Sequence, residues 1–199
     1  MKRSQINRAL REMEQMAARC RFPLPDFCGF TPDEWQRKGH AYNEVRDNQL
    51  GWDITDYGLG RFDELGFSLI TLRNGNRKQP ERYPKTYAEK LLYLKEGQYA
   101  PMHFHWVKME DIINRGGGTV PAGTQIRLMP GQSITIHPGL YHDFSVEESG
   151  GAVLLGEVSQ CNDDEHDNRF NPPVGRFPAI EEDEPPYRLL CNEYPPANA

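Results

Sequence analysis

Gly97-Gln-Tyr-Ala-Pro-Met-His103-Phe-His105-Trp-Val-Lys-Met-Glu110-Asp-Ile-Ile-Asn-Arg-Gly-Gly117 is the stretch that decides the fold. Pro101 disfavours a helix, and no helical stripe follows it. On a strand, residues two apart face the same side. His103 and His105 therefore project together, with Phe104 opposite. Glu110 lies far enough on for a bend that returns its carboxylate to the same place. Gly116-Gly117-Gly118 then permits a tight reversal. A second stretch, Gly131-Gln-Ser-Ile-Thr-Ile-His137-Pro-Gly139-Leu-Tyr-His142, adds a β-prone run, a Pro-Gly turn and another histidine that opens a strand to Val146. His103, His105, Glu110 and His142 together form a donor set for a divalent transition metal. One histidine alone is more often structural than a ligand. Four donors at ordered spacings, with glycines between them, point to a metal centre inside a small barrel. His137, on the turn before Pro138, reads as structural.

Around these two stretches, residues 51–170 read as short strands with regular turns, the pattern of a β-sandwich or barrel. Phe67–Leu72 ends at the turn signal Arg73-Asn-Gly75. Lys90–Leu94, Thr124–Leu128, Ser133–Ile136 and Gly151–Val158 follow. Residues 1–50 read as a helical extension that packs on the barrel or on a partner subunit. Its first helix spans 4–21, capped by Ser4, with Ile6, Ala9, Leu10, Met13 and Ala17 as its apolar stripe. A second starts at Thr31-Pro-Asp-Glu34, with threonine as N-cap and proline at the first helical position, and stops near Lys38-Gly39. A short third covers 42–47. Residues 171–199 are proline-rich and are expected to form an extended arm wrapping the barrel, with disorder at its end. The acidic run Glu181-Glu-Asp-Glu184 reads as a solvated loop.

Composition narrows the function classes. The chain has 199 residues, the length of a single domain, and a formal net charge of −6 with no basic stripe, which argues against nucleic acid. No segment approaches the roughly 20 apolar residues of a membrane span, and Met1-Lys-Arg-Ser4 leads into no apolar core of a signal peptide. Cysteines 20, 28, 161 and 191 form no CxxC pair and are expected to be reduced, in a cytoplasmic protein.

Glu157 is the candidate base. It interrupts the apolar run Val153–Val158, and alternation puts it on one face with Val153 and Leu155, pointing into the barrel. A buried charge is costly unless paired, and burial alone would raise its pKa toward the range of a general base. The competing reading is a buried ion pair, with Lys90 as the named partner.

The first stretch is identified with the first cupin motif: glycine, five residues, His-x-His, four residues, glutamate, six residues, glycine. The second resembles the second cupin motif, with His137 where proline is usual and Val146 where asparagine is common. These departures touch turn chemistry and leave the ligands intact. The resemblance implies a mainly β chain, a jelly-roll-like double-stranded β-helix barrel with N-terminal helices. A narrower resemblance runs over residues 30–185. Gly51-Trp-Asp-Ile-Thr-Asp-Tyr-Gly58, Tyr83-Pro-Lys-Thr-Tyr-Ala-Glu-Lys90, Glu110-Asp-Ile-Ile-Asn-Arg-Gly-Gly-Gly118, Gly156-Glu-Val-Ser159 and Asp167-Asn-Arg-Phe170 are similar to the D-lyxose isomerases of the cupin superfamily. Between Gly118 and Gly123 this chain is short where relatives carry an insertion, which concerns a surface or subunit contact more than the chemistry.

That resemblance implies a metal-dependent aldose–ketose isomerase, interconverting D-lyxose with D-xylulose and D-mannose with D-fructose through an enediol. Mn²⁺ is the expected ion, with Zn²⁺, Co²⁺, Fe²⁺ and Ni²⁺ compatible with the same donors. Lys90 resembles the family's active-site lysine, and could hold a sugar oxygen or an enediolate. Arg169, with Asp164 and Asp167 in a polar loop, is expected to grip hydroxyls or anchor those carboxylates. Trp106 is a candidate to stack on the monosaccharide, and His166 is expected to face solvent. A homodimer is expected. Two other functions share the motif: a cupin dioxygenase or oxidase using the same ligands with a redox-active metal, and a sugar-binding cupin without turnover.

Overall fold

The computed structural model describes residues 1–117, 120–122, 126–164 and 166–198. Three α-helices precede the strands: α1 (Arg3–Arg19), α2 (Pro32–Trp35) and α3 (Asn43–Asp47). The strands are β1 (Gly51–Thr55), β2 (Phe67–Arg73), β3 (Tyr87–Leu94), β4 (Tyr99–His105), β5 (Glu110–Gly117), β6 (Val120–Ala122), β7 (Ile126–Leu128), β8 (Ser133–Ile136), β9 (His142–Ser145), β10 (Val153–Gln160) and β11 (Asn168–Phe170). Among the described residues they form two sheets, ordered β1-β2-β3-β10-β5-β8 and β11-β4-β9-β6-β7, and every pairing is antiparallel. This is the expected cupin barrel with N-terminal helices.

Alternation along the strands builds two cores. Leu69, Leu92, Leu155, Val153, Ile112 and Phe144 meet between the sheets. Their neighbours Ile70, Leu91 and Leu154 point the other way, onto Ile6, Leu10 and Met13 of α1 and onto Trp35 and Trp52. Each fully buried leucine or isoleucine contributes about 1.5–3 kcal/mol, so the helices cover a face of the larger sheet that would otherwise be exposed. The inner face is apolar at one end of the barrel and polar at the other, where the site lies.

Several expectations need correction. Ser4 does not cap α1; the helix begins at Arg3, and Ser4 gives its backbone N–H and its hydroxyl to Asp183 at 2.8 and 2.6 Å. The acidic run is exposed, as expected, and is also tied to the start of the chain. Glu182 pairs with the buried Arg3 at 2.6 Å, and Glu184 accepts from Asn7 at 2.6 Å. The first turn of α1 contains no acidic residue of its own, so the tail supplies the negative charge that a helix N-terminus favours. Thr31 caps α2 as expected, with Glu34 reaching back to it, but α2 ends at Trp35, short of Lys38.

The tail is packed over its described length. Tyr194 stacks on Trp35 at 4.1 Å, Cys191 donates its N–H to the Trp52 carbonyl at 2.7 Å, and Asn198 bridges to Gly39. Gly51 has φ +98°, and a Cβ there would lie 2.0 Å from the Tyr194 hydroxyl, so a side chain would clash with the arm. Gly116 and Gly117 pair in register with Leu154 and Val153 and continue β5 instead of reversing the chain. Gly118, Thr119 and residues 123–125 lie outside the described residues, and Val120–Ala122 of the short segment form β6. No described helix is long and apolar enough to cross a membrane, and the four cysteines are free thiols.

Candidate metal centre

His103 and His105 come from β4, and His142 from β9, paired directly opposite His103. Glu110 opens β5 in the other sheet. The loop 106–109 carries the chain across, as the predicted bend requires. All four residues are buried, and their ligand atoms lie within 4.8 Å of one another. His142 Nε2 lies 3.0 Å from Glu110 Oε1, and His105 Nε2 lies 3.4 Å from Glu110 Oε2.

The hydrogen bonds of the rings test whether a cation fits. His103 Nδ1 is 2.8 Å from the Pro101 carbonyl and His142 Nδ1 is 3.0 Å from the Leu140 carbonyl. A carbonyl only accepts, so each Nδ1 carries the hydrogen and each Nε2 keeps its lone pair, a tautomer assigned from the network. His142 Nε2 thus faces a carboxylate oxygen, acceptor against acceptor, and has no hydrogen-bond partner among the described residues. A shared divalent ion resolves that conflict, and Nδ1–H to a backbone carbonyl is the outer support that metal-bound histidines use. Burial, with His142 beside it, holds His103 down to about 3, so it is the neutral imidazole a metal requires. Burial pushes the Glu110 carboxyl up, but Lys108, His105 and His142 outweigh it and hold Glu110 well below the usual range. Three nitrogen donors and one oxygen donor suit Mn²⁺, Fe²⁺, Co²⁺, Ni²⁺ or Zn²⁺.

A cavity of about 70 Å³ lies beside these ligands, lined by His103, His105, Glu110, Glu157, Lys90 and Lys108 among others. Glu157 points into it as alternation predicts. Its carboxylate meets Lys90 at 3.2 Å and Lys108 at 3.0 Å, and Lys108 also reaches Glu110 at 2.7 Å. The ion pair with Lys90 is therefore present, and it lies within the site. The expected raised pKa of Glu157 is overturned. Burial pushes it up, but Lys108 and Lys90 together pull it below the ordinary value, so Glu157 is ionised at neutral pH.

Lys108 was not singled out by sequence reasoning. It stands two residues before Glu110, the same spacing that links His103 to His105, and that was the available signal. Asp167 positions it: its carboxylate accepts the N–H groups of Val107 at 2.7 Å and Lys108 at 3.0 Å. Asp167 is thus a loop anchor outside the cavity lining. Asp164 does line the cavity, but its partner is Arg176 at 3.2 Å instead of Arg169. Against the push of burial, Arg176 and Lys90 hold Asp164 well below the usual carboxylate range.

Arg169 and Trp106 are not brought to the cavity. Arg169 is exposed and pairs in register with Phe104 on the outer face of β4, and Trp106 is 58% exposed with its ring 4.6 Å from Phe104. Phe170 and Asn168, the neighbours of Arg169, line the cavity opposite His103 and His105. His137 is exposed and outside the ligand cluster, and His166 is exposed beside Asp163.

The chain matches the D-lyxose isomerase family in two pieces, residues 1–121 and 118–194. The pieces meet where this chain is short. It is 44% identical to the D-lyxose/D-mannose isomerase of Escherichia coli O157:H7 over 224 aligned residues, covering 98% of each chain. The D-lyxose/D-mannose isomerase of Serratia proteamaculans is equally similar, at 44% over 98% of each. Among solved structures, the L-ribose isomerase of Cellulomonas parahominis with L-ribose shares the fold at a TM-score of 0.64 and 16% identity, over 91% of this chain and 98% of that one.

Proposed function

The chain belongs to the D-lyxose isomerase family and is a metal-dependent sugar isomerase, an intramolecular oxidoreductase, and we propose that it interconverts D-lyxose with D-xylulose and D-mannose with D-fructose by proton transfer through an enediol. The observation that carries this reading is the Glu157 carboxylate, buried inside the cavity beside the ligand cluster and paired with Lys90 and Lys108. These two aldoses share configuration at C2 and C3, so one site fits both.

His103, His105, Glu110 and His142 would hold the ion, with Mn²⁺ the proposed occupant. When bound, it supplies a Lewis acid that polarises the sugar carbonyl and its neighbouring hydroxyl. Glu157 takes the proton from C2 of the open-chain aldose, exchanges it with solvent while the enediol persists, and protonates C1 from the same face. Over the cycle one hydrogen moves from C2 to C1 and one proton from O2 to O1. Lys90 and Lys108 keep Glu157 ionised between turnovers and face the negative charge that develops on the enediolate. Lys90 is held at 2.6 Å by Asn162 Oδ1 as well, so it stays in place when Glu157 accepts the proton. Asp164, with Lys90, is assigned to the sugar hydroxyls. The cavity's charged lining suits a polyhydroxylated substrate better than the apolar substrates common among dioxygenases.

The same reading makes the protein a cytoplasmic homodimer. Four free thiols support a reducing compartment. Exposed Trp106, Tyr141, Val107, Met109 and Leu140, the first two packed against Phe104, support a self-association face.

The test is turnover. Protein stripped with chelator is expected to leave D-lyxose and D-mannose unchanged, and restoration of Mn²⁺ to produce D-xylulose and D-fructose. Failure to convert either aldose with the metal bound would overturn the reading.

A further inference from the structure

A second cavity, about 290 Å³, adjoins the metal centre. It shares Leu69, Lys90, Asn162, Asp164 and Arg176 with the inner one. These residues form a partition. Beyond it the lining is polar: Asp53, Thr71, Asn74 and Asn76 face the outer space. At roughly 10–15 Å³ per water-sized group, the inner cavity holds about five to seven such groups. That is fewer than the carbons and oxygens of a pentose, and fewer still than those of a hexose. A sugar with C1 and C2 at the metal centre therefore extends beyond the inner cavity, and the outer cavity shares its wall.

Arg176 is built into that partition with one donor unused. Its Nε donates to Asp164 at 3.2 Å and its Nη2 to Asp53, and Asp53 is buried on β1 between Trp52 and Ile54. Its Nη1 is buried and has no hydrogen-bond partner among the described residues. A guanidinium fixed on two sides, with one buried nitrogen left without a partner on a side chain that lines both cavities, is a preorganised hydroxyl donor. We propose, building on the isomerase reading, that Arg176 Nη1 binds a hydroxyl of the sugar beyond C4 and that the outer cavity receives the distal end of the chain. Arg176 then determines which chain lengths bind well, while the metal ligands and Glu157 act on C1 and C2.

Calorimetric titration of the metal-loaded protein with erythritol, D-arabitol and D-mannitol tests this without turnover. These open-chain polyols lengthen one carbon at a time. Affinity is expected to rise along the series in the natural protein. Arg176→Lys keeps a cation between Asp53 and Asp164 and removes the fork. It is expected to weaken D-arabitol and D-mannitol by roughly ten- to a hundredfold, the worth of a hydrogen bond to a charged group, and to leave erythritol unchanged. Should Arg176→Lys fail to fold, Thr71→Val alters only the outer lining and is expected to weaken D-mannitol more than erythritol. Equal affinity along the series in the natural protein, or equal losses for all three polyols in the variants, would overturn the proposal. A length-dependent series in a protein that turns over no aldose would instead count against the isomerase reading and leave the distal subsite standing.

Discussion

Glu157→Gln is expected to lower kcat for D-lyxose by about a thousandfold, within the 10²–10⁴ range that removal of a positioned general base produces. Glutamine preserves the volume on β10 and cannot accept the proton at neutral pH. The substitution strands neither lysine. Lys90 keeps Asn162 Oδ1 at 2.6 Å, and Lys108 keeps Glu110 Oε2 at 2.7 Å. Unfolding midpoint and bound metal should therefore stay close to the natural values while turnover collapses. Kinetics alongside metal analysis of the same sample separates a lost base from a lost ion. A variant that keeps kcat within tenfold of the natural protein would move the base elsewhere, with the nearby Asp164 as the next candidate.

His142→Ala is expected to abolish both metal retention and activity. His142 is the ligand whose Nε2 faces Glu110 Oε1 at 3.0 Å with no hydrogen-bond partner among the described residues. Loss of an outer hydrogen-bond partner of a metal ligand costs about 10–100-fold in affinity or activity. Loss of the ligand itself should exceed that, leaving less than about 1% of natural turnover when both proteins are given equal Mn²⁺. Equilibrium dialysis with Mn²⁺ reads affinity directly. The fold should survive, because His142 lies at the polar end of the barrel and takes no part in either apolar cluster. Natural affinity in the variant would show that the cluster is not the metal centre.

What was legible in the sequence follows from alternation. The spacings of His103, His105, Glu110 and His142 were read directly, as was the inward direction of Glu157. The same rule also explains the misses. Phe104 and Trp106 alternate with the histidines and so face outward, which leaves Trp106 out of the cavity lining. Arg169 lies between Asn168 and Phe170, and register puts those two neighbours, not Arg169, on the inner face. Asp53 was open to the argument used for Glu157, a charge between Trp52 and Ile54 on one strand. Arg176 was not legible: it lies in the proline-rich tail, where no period exists, and only the fold brings it to Asp53 and Asp164. Ser4 was misread for a related reason, because its cap comes from Asp183, nearly the whole chain away.

The central claim is that a carboxylate in this cavity moves a proton between C1 and C2. Isomerisation of D-lyxose in D₂O by the Mn²⁺-loaded protein, with the recovered D-xylulose read by mass spectrometry and NMR, tests it most directly. Proton transfer by Glu157 predicts solvent deuterium at C1 of the ketose. Product formed at full rate with its hydrogen wholly retained would contradict the account and assign the transfer to a hydride shift.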